Sequence, residues 1–412
     1  MAQDTSARLK TGWYLLGPAF VAAIAYVDPG NVAANISAGA QFGFALLWVI
    51  VLANVMAGLV QYLSAKLGLV SGRTLPEAIG GQLGRPARLA FWLQAEIVAM
   101  ATDVAEVIGG AIALHILFGL PLLVGGVITG VVSLLLLRIQ DQRGQQIFER
   151  VITGLLLLIA VGFTASFFVA TPPPGDVVGG LVPRFLGKES VLLAAAILGA
   201  TVMPHAVYLH SGLARDRHGH PEPGPERRRL LRITRLDVGL AMVVAGGVNA
   251  AMLLVAALNM RSRGGIGSIE VAYTAVHDTV SPLIAVFFAV GLLASGLASA
   301  SVGAYAGAMI MQGLLHRSIP MVLRRLATLA PALLILALGF NPTRTLVLSQ
   351  VVLSFGIPFA LLPLVRLTGN RELMGTDVNH RVTTAVGWLI GVLISLLNVV
   401  LIYLTVTRSG SA

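Results

Sequence analysis

The sequence predicts an all-α membrane protein, a single transmembrane domain over 1–412. It is built as an inverted repeat of five plus five helices, with broken helices 1 and 6 and an eleventh helix beyond the repeats. Three observations carry that prediction. The 412 residues are 56% hydrophobic and only 11% charged, with a mean hydropathy of +0.86, a balance shown by polytopic helical membrane proteins and not by soluble domains. Apolar runs recur along the whole chain. Two of those runs, five segments apart, are interrupted by residues that stop a helix.

The eleven runs lie near 13–38, 45–68, 89–117, 121–137, 147–169, 190–213, 235–258, 282–312, 323–339, 343–367 and 384–406. The first looks in part like a signal peptide, since Lys10 precedes it and Ala23-Ile24-Ala25 mimics a cleavage site. The run does not stop there, however, and cleavage would leave the later break without its partner. The first break is Asp28-Pro29-Gly30-Asn31. In the sixth run only nine residues, Ser190 to Leu198, precede Gly199-Ala200-Thr201-Val202-Met203-Pro204-His205. That is too short for the ~20 residues that cross a hydrocarbon core, so the break belongs inside the membrane. Backbone unwound at that depth is tolerated only where protein buries it or where it lines a cavity. Five helices separate the repeat starts, so the second unit (about 190–367) enters from the face opposite to the first (about 13–169), and 384–406 is the extra helix. Such transporters hold substrate near the midplane, between two discontinuous helices.

Connections add orientation. Thr171 to Glu189, opened by Pro172, Pro173 and Pro174, reads as an outer loop. His218 to Arg229 reads as a polar inner loop, in which His218 and His220 form a weak metal pair at best. Gly126/Gly130 and Gly303/Gly307 read as close-packing positions. A cytoplasmic N-terminus assigns 22 of the 28 Lys and Arg residues to inner segments, and only Arg184, Lys188, Arg261, Arg263, Arg344 and Arg408 to outer ones. The positive-inside rule then sets the N-terminus in and the C-terminus out, in the cell (inner) membrane. The formal charge of +10 is therefore a topology signal, and no solvated basic domain presents it to nucleic acid. Without cysteine the chain has neither disulfides nor a thiolate metal site.

The chemistry gathers at the breaks. Asp28 offers a carboxylate, Asn31 an amide oxygen, and the freed carbonyls, that of Ala200 among them, further oxygens. Met203 offers a thioether, where the plainer reading is a buried gap-filler. Hard oxygens with one soft sulfur suit Mn²⁺, Fe²⁺ and their neighbours better than Mg²⁺ or Ca²⁺. Apart from Glu149 at a segment edge, five acids lie within apolar segments: Asp28, Glu96, Asp103, Glu106 and Asp237. Intramembrane acids are expensive and usually functional. At about 100° per residue, Glu96, Asp103 and Glu106 fall within roughly an 80° arc of the third helix. That face is either a proton route or a salt-bridge surface, the latter facing Arg324 and Arg325. Asp237, beside Arg232 and Arg235, reads as a topological or capping charge. His205 titrates near physiological pH in its unperturbed form and is open to metal binding, gating, proton passage or plain hydrogen bonding, the last being the plainer reading; His210 takes that one.

Asp28-Pro29-Gly30-Asn31 paired with Met203-Pro204-His205, then Tyr208-Leu209-His210-Ser211, resembles the natural resistance-associated macrophage protein (Nramp) family of divalent metal transporters, bacterial type. The resemblance spans nearly the whole chain, including Glu96 to Glu106 and Leu348-Ser349-Gln350-Val351-Val352-Leu353-Ser354-Phe355-Gly356. It implies a LeuT-type fold and proton-coupled import of Mn²⁺ or Fe²⁺ by alternating access, with no catalysis and no resident cofactor. It implies Asp28, Asn31, Met203 and the Ala200 carbonyl as metal ligands, with Gln350 joining in some conformations. It also implies a proton pathway over Asp103, Glu106, Arg324 and Arg325, to which the titratable residues Asp28, Glu96 and His205 are added from their own chemistry. Many relatives carry Asn where this chain has Ala206. Relatives that carry Mg²⁺ tend to lack the methionine.

Other classes stay open at this level: a LeuT-type carrier of another cation such as Mg²⁺ or of a small organic solute, and a cation channel. An organic carboxylate would be repelled by Asp28, and a channel needs a continuous polar pore that five acids on three helices do not provide. Uptake with amino acids as control separates the first; turnover and proton dependence separate the second.

Overall fold

The structure is a computed structural model that describes residues 17–143, 145–164, 172–260, 268–317 and 319–409, with the backbone alone at 137–143, 145–146, 148–149, 321–322 and 404–409. Residues 13–16 and 165–169 of two predicted segments, Thr171 at the start of the outer loop, and Arg8, Lys10, Arg261 and Arg263 lie outside the described residues.

The described residues are helical almost throughout. The first segment is two helices, α1 (Pro18–Ala23) and α2 (Pro29–Phe42), joined by a 3-10 turn over Ile24–Val27. Then come α3 (Leu47–Ser71), the short α4 (Leu75–Gly80), α5 (Arg85–Phe118), α6 (Leu122–Arg143) and α7 (Gln145–Thr164). A short α8 (Pro174–Gly180) precedes the sixth segment, again two helices, α9 (Lys188–Thr201) and α10 (Pro204–His218). The remainder is α11 (Pro225–Asn259), α12 (Ile269–Thr279), α13 (Pro282–Leu315), α14 (Met321–Ala337), α15 (Pro342–Thr368), α16 (Arg371–Met374) and α17 (Arg381–Ser409). Among the described residues, seven helical stretches are long and apolar enough to cross a membrane, and shorter apolar helices cover Pro18–Val27, Leu122–Leu136 and Arg150–Thr164.

Both breaks have one local cause. A proline at the first helical position loses no hydrogen bond, because that N–H has no intrahelical partner anyway. The residue before proline is driven out of the helical region. Asp28 accordingly sits at φ −67°, ψ 166° and Met203 at φ −59°, ψ 121°. The two candidate ligand side chains are thus the residues that end up just outside α2 and α10.

Helix contacts pair equivalent elements of the two halves. α5 packs on α13, α3 on α11 and α6 on α14; the half-helices pair crosswise, α1 with α10 and α2 with α9. α15 lies against α9, α2 and α10 and so closes over both breaks.

Three expectations need correction. α11 starts at Pro225, not near 235, and α10 runs to His218, so the inner loop shrinks to residues 219–224. Hydropathy marks the length held in lipid, whereas a helix continues into water wherever propensity and a proline at its start permit. The outer loop contains α8. The glycines Gly303 and Gly307 accommodate side chains: a Cβ at Gly303 would stand 3.1 Å from the Glu106 carboxylate, and one at Gly307 would strike the Arg324 guanidinium. Gly126 and Gly130 do serve packing, against Leu333, Leu336 and Leu329 of α14.

Candidate metal site

Asp28, Asn31, Ala200, Met203 and Gln350 are all fully buried. Asp28 caps α2, its Oδ1 accepting the Asn31 backbone N–H at 2.7 Å and the Asn31 Nδ2 at 2.9 Å. The same Nδ2 donates to the Ala200 carbonyl at 2.8 Å, so one amide ties the two breaks together. The Thr201 hydroxyl donates to Asn31 Oδ1 at 3.4 Å. Gln350, on α15, donates through Nε2 to Ser349 Oγ at 3.2 Å. Glycine at two positions admits it: a side chain on Gly30 would run into the Gln350 amide, and one on Gly199 into the Gln350 carbonyl.

The centre is rich in acceptors. Asp28 Oδ2 and Gln350 Oε1 are buried with no hydrogen-bond partner among the described residues. Acceptor oxygens buried without a donor are costly in a low-dielectric interior, and an arriving cation would satisfy them. Among the described residues no three His, Cys, Asp or Glu side chains gather as a metal cluster. The candidate donors are therefore one carboxylate plus amide, carbonyl and thioether groups, a set that patterns of His, Cys and carboxylate spacing do not reveal.

Around this centre two carbonyls beside the first break are satisfied by side chains of other helices. Asn249 on α11 donates to the Tyr26 carbonyl at 2.7 Å and accepts from Asn35 at 2.9 Å. Ser295 on α13 donates to the Val27 carbonyl at 2.5 Å. Below them the Tyr26 hydroxyl accepts from Gln61, and Gln61 Oε1 lies 2.6 Å from His210 Nδ1, which gives His210 its hydrogen-bonding role. Sequence reasoning tracked intramembrane acids and missed these amides and hydroxyls, although Asn249 stands conspicuously inside an apolar helix.

The three acids of α5 have different partners. Glu96 pairs with Arg324 at 3.2 Å, Asp103 with Arg325, and Arg325 also donates to Ser133 at 3.0 Å. Glu106 is fully buried, and neither carboxylate oxygen has a hydrogen-bond partner among the described residues. One turn along, Gly109 lets α5 close onto the Pro29 ring, so the acid face abuts the first break. His205 Nδ1 lies 3.4 Å from Thr102 Oγ1 of α5, and its Nε2 has no partner among the described residues. Asp237 accepts the Gly17 and Ala19 backbone N–H groups at 3.2 and 3.0 Å, a cap on α1 supplied by another helix. His220 Nδ1 lies 3.0 Å from the Leu69 carbonyl. A cavity of about 470 Å³ opens among Ser37, Gln41, Glu189, Asn341, Thr343 and Arg344, at the end of α2 remote from the break.

The sequence model described as natural resistance-associated macrophage protein-like matches residues 19–404. The divalent metal cation transporter MntH of Mycobacterium tuberculosis (strain CDC 1551 / Oshkosh) is 80% identical over 407 residues, 99% of this chain and 95% of that protein. The crystal structure of the Eremococcus coleocola manganese transporter superposes with a TM-score of 0.85 at 31% identity, covering 97% of this chain and 88% of that one. Mhp1, a nucleobase-cation-symport-1 family transporter, shares the fold at a TM-score of 0.60 and 18% identity, over 94% of this chain and 90% of its own. The architecture is thus the LeuT-type one that the family resemblance implied.

Proposed function

The chain belongs to the natural resistance-associated macrophage protein (Nramp) family, and we propose that it imports divalent transition-metal ions, Mn²⁺ and Fe²⁺ foremost, coupled to protons by alternating access. It is a multi-pass membrane transporter and not an enzyme. One observation carries the substrate reading. The buried Asp28 carboxylate and the Ala200 carbonyl are tied together by the Asn31 amide, Met203 is buried at the start of α10, and Asp28 Oδ2 and Gln350 Oε1 have no hydrogen-bond partner among the described residues.

The ion is bound by Asp28, Asn31, the Ala200 carbonyl and Met203, and Gln350 joins from α15. The Asn31 NH₂ now bridges Asp28 and Ala200, as a cation would. On binding, that amide turns about its Cβ–Cγ bond, presents its oxygen to the ion and gives its NH₂ to Thr201. The charge-bearing hydrogen bonds of the resting site are thereby exchanged for coordination, at little cost in unsatisfied groups.

Protons follow a separate route from Asp28 past His205 to Glu106 and Asp103, then out by Arg325, Arg324 and Glu96. The unpartnered Glu106 oxygens beside the first break support this branch. The repeats run about 13–169 and 190–367, with 384–406 outside them. The N-terminus lies in the cytoplasm and the C-terminus outside the cell membrane.

The direct test is uptake by purified protein in proteoliposomes across Mn²⁺, Fe²⁺, Mg²⁺ and Ca²⁺, with amino acids as control, at two external pH values. Acid-stimulated entry of Mn²⁺ and Fe²⁺ alone is the expected result. Equal entry of Mg²⁺, or entry of an amino acid, refutes the substrate assignment.

A further inference from the structure

We propose that the N-terminal end of α11 is a binding surface for anionic phospholipid headgroups. Arg228, Arg232 and Arg235 are exposed there, as are Leu236, Leu240 and Val243, at 57%, 40% and 72%. At about 100° per residue these six side chains share roughly a 140° arc of the helix. The acids of this helix, Glu226 and Asp237, fall on the opposite side by the same count. A cationic stripe therefore continues without a break into a stripe of large apolar side chains.

The heights match a bilayer edge. With the hydrocarbon boundary at Leu236, a rise of about 1.5 Å per residue sets Arg235 roughly 1.5 Å and Arg232 roughly 6 Å beyond it. Arg228 lies roughly 12 Å beyond it. The headgroup layer is about 5–8 Å deep on each side. The backbones of two arginines thus stand within the phosphate layer, and that of the third lies roughly 4 Å or more outside it, close enough for its long side chain to reach back. The Arg235 guanidinium lies over the Tyr62 ring of α3, 4.8 Å from its centroid; that is an interfacial aromatic holding a cation at the boundary. Arg228 and Arg232 form no ion pair or hydrogen bond with protein among the described residues. By contrast Arg227, one position away and buried, is bound to Asp377 at 3.2 Å and to the Pro221 carbonyl at 2.8 Å. Unpaired guanidinium groups at phosphate depth or within a side chain's reach of it, on a face that continues into exposed apolar side chains, complement an anionic headgroup.

Assignment to the cytoplasmic leaflet rests on the orientation proposed above; lipid selectivity itself does not. The test uses the full chain in phosphatidylcholine proteoliposomes, comparing association of spin-labelled phosphatidylglycerol and spin-labelled phosphatidylcholine. A several-fold preference for phosphatidylglycerol is expected, weakened by high salt. Arg228→Gln, Arg232→Gln and Arg235→Gln should each lower it by up to roughly fivefold. The corresponding triple Lys variant should keep it, as should Arg85→Gln with Arg88→Gln at the start of α5. No preference in the parent chain, or an unchanged preference in the triple Gln variant, overturns the proposal. Mn²⁺ uptake by the same vesicles reports the transport reading independently.

Discussion

Two substitutions at Asp28 separate what its carboxylate does for the fold from what it does for the ion. In Asp28→Ala, the Asn31 N–H that Oδ1 accepts at 2.7 Å is left buried without a partner. That costs about 1–3 kcal/mol, overlapping the ~0.5–2 kcal/mol of a lost helix cap. The Asn31 side chain keeps its bond to the Ala200 carbonyl, so the two breaks stay joined. In Asp28→Asn, the amide oxygen retains both Asn31 bonds, and the unpartnered Oδ2 becomes a neutral NH₂. An unpaired neutral group is cheaper to bury than an unpaired charge. The Asn variant should therefore melt at or above the parent, and the Ala variant below it.

Both variants lose the one charged ligand. Outer partners of a metal ligand alone are worth roughly 10–100-fold, so losing the ligand itself should lower Mn²⁺ uptake at least ~100-fold. The assay is a thermal melt of purified protein beside metal-quenched dye uptake in proteoliposomes. Robust uptake by well-folded Asp28→Asn would sink the site assignment. Equal destabilisation of the two variants would show that charge, not the cap, holds the break.

Met203→Ala leaves the oxygens and removes the soft donor. Mn²⁺ uptake should persist in part, Cd²⁺ uptake should fall most, and excess Ca²⁺ or Mg²⁺ should begin to compete; a variant that still excludes the hard ions makes Met203 packing alone. Glu106→Gln breaks no hydrogen bond among the described residues and should weaken acid stimulation of uptake more than metal binding. Asp103→Asn should do the same with lower expression, because it strands the buried Arg325; unchanged pH dependence in both returns the acids to a structural role. A tag at Met1 should be shielded in intact cells and one at Ala412 accessible, and labelling of both ends from one side removes the eleven-helix topology.

Much of this architecture is local and hence readable in one dimension. Apolar runs mark lipid-embedded length because every spanning backbone must satisfy its own hydrogen bonds. Asp28-Pro29 and Met203-Pro204 mark the breaks because proline acts on its immediate neighbours alone. Two of the candidate donors, Asp28 and Met203, follow, since they are the residues that those prolines displace.

Tertiary structure decided the rest, through partners hundreds of positions apart. The Tyr26 carbonyl is met by Asn249 and the α1 terminus by Asp237; neither pairing has a local signature. Whether the α5 acids are paired or unpaired also depends on α14, which supplies Arg324 to Glu96 and Arg325 to Asp103 but, among the described residues, no hydrogen-bond partner to Glu106. Gly307 reads in sequence as a helix-packing residue, yet its missing side chain makes room for a guanidinium. Composition and spacing report what a residue can do; which buried polar group it must satisfy is settled when distant helices meet in a medium without water.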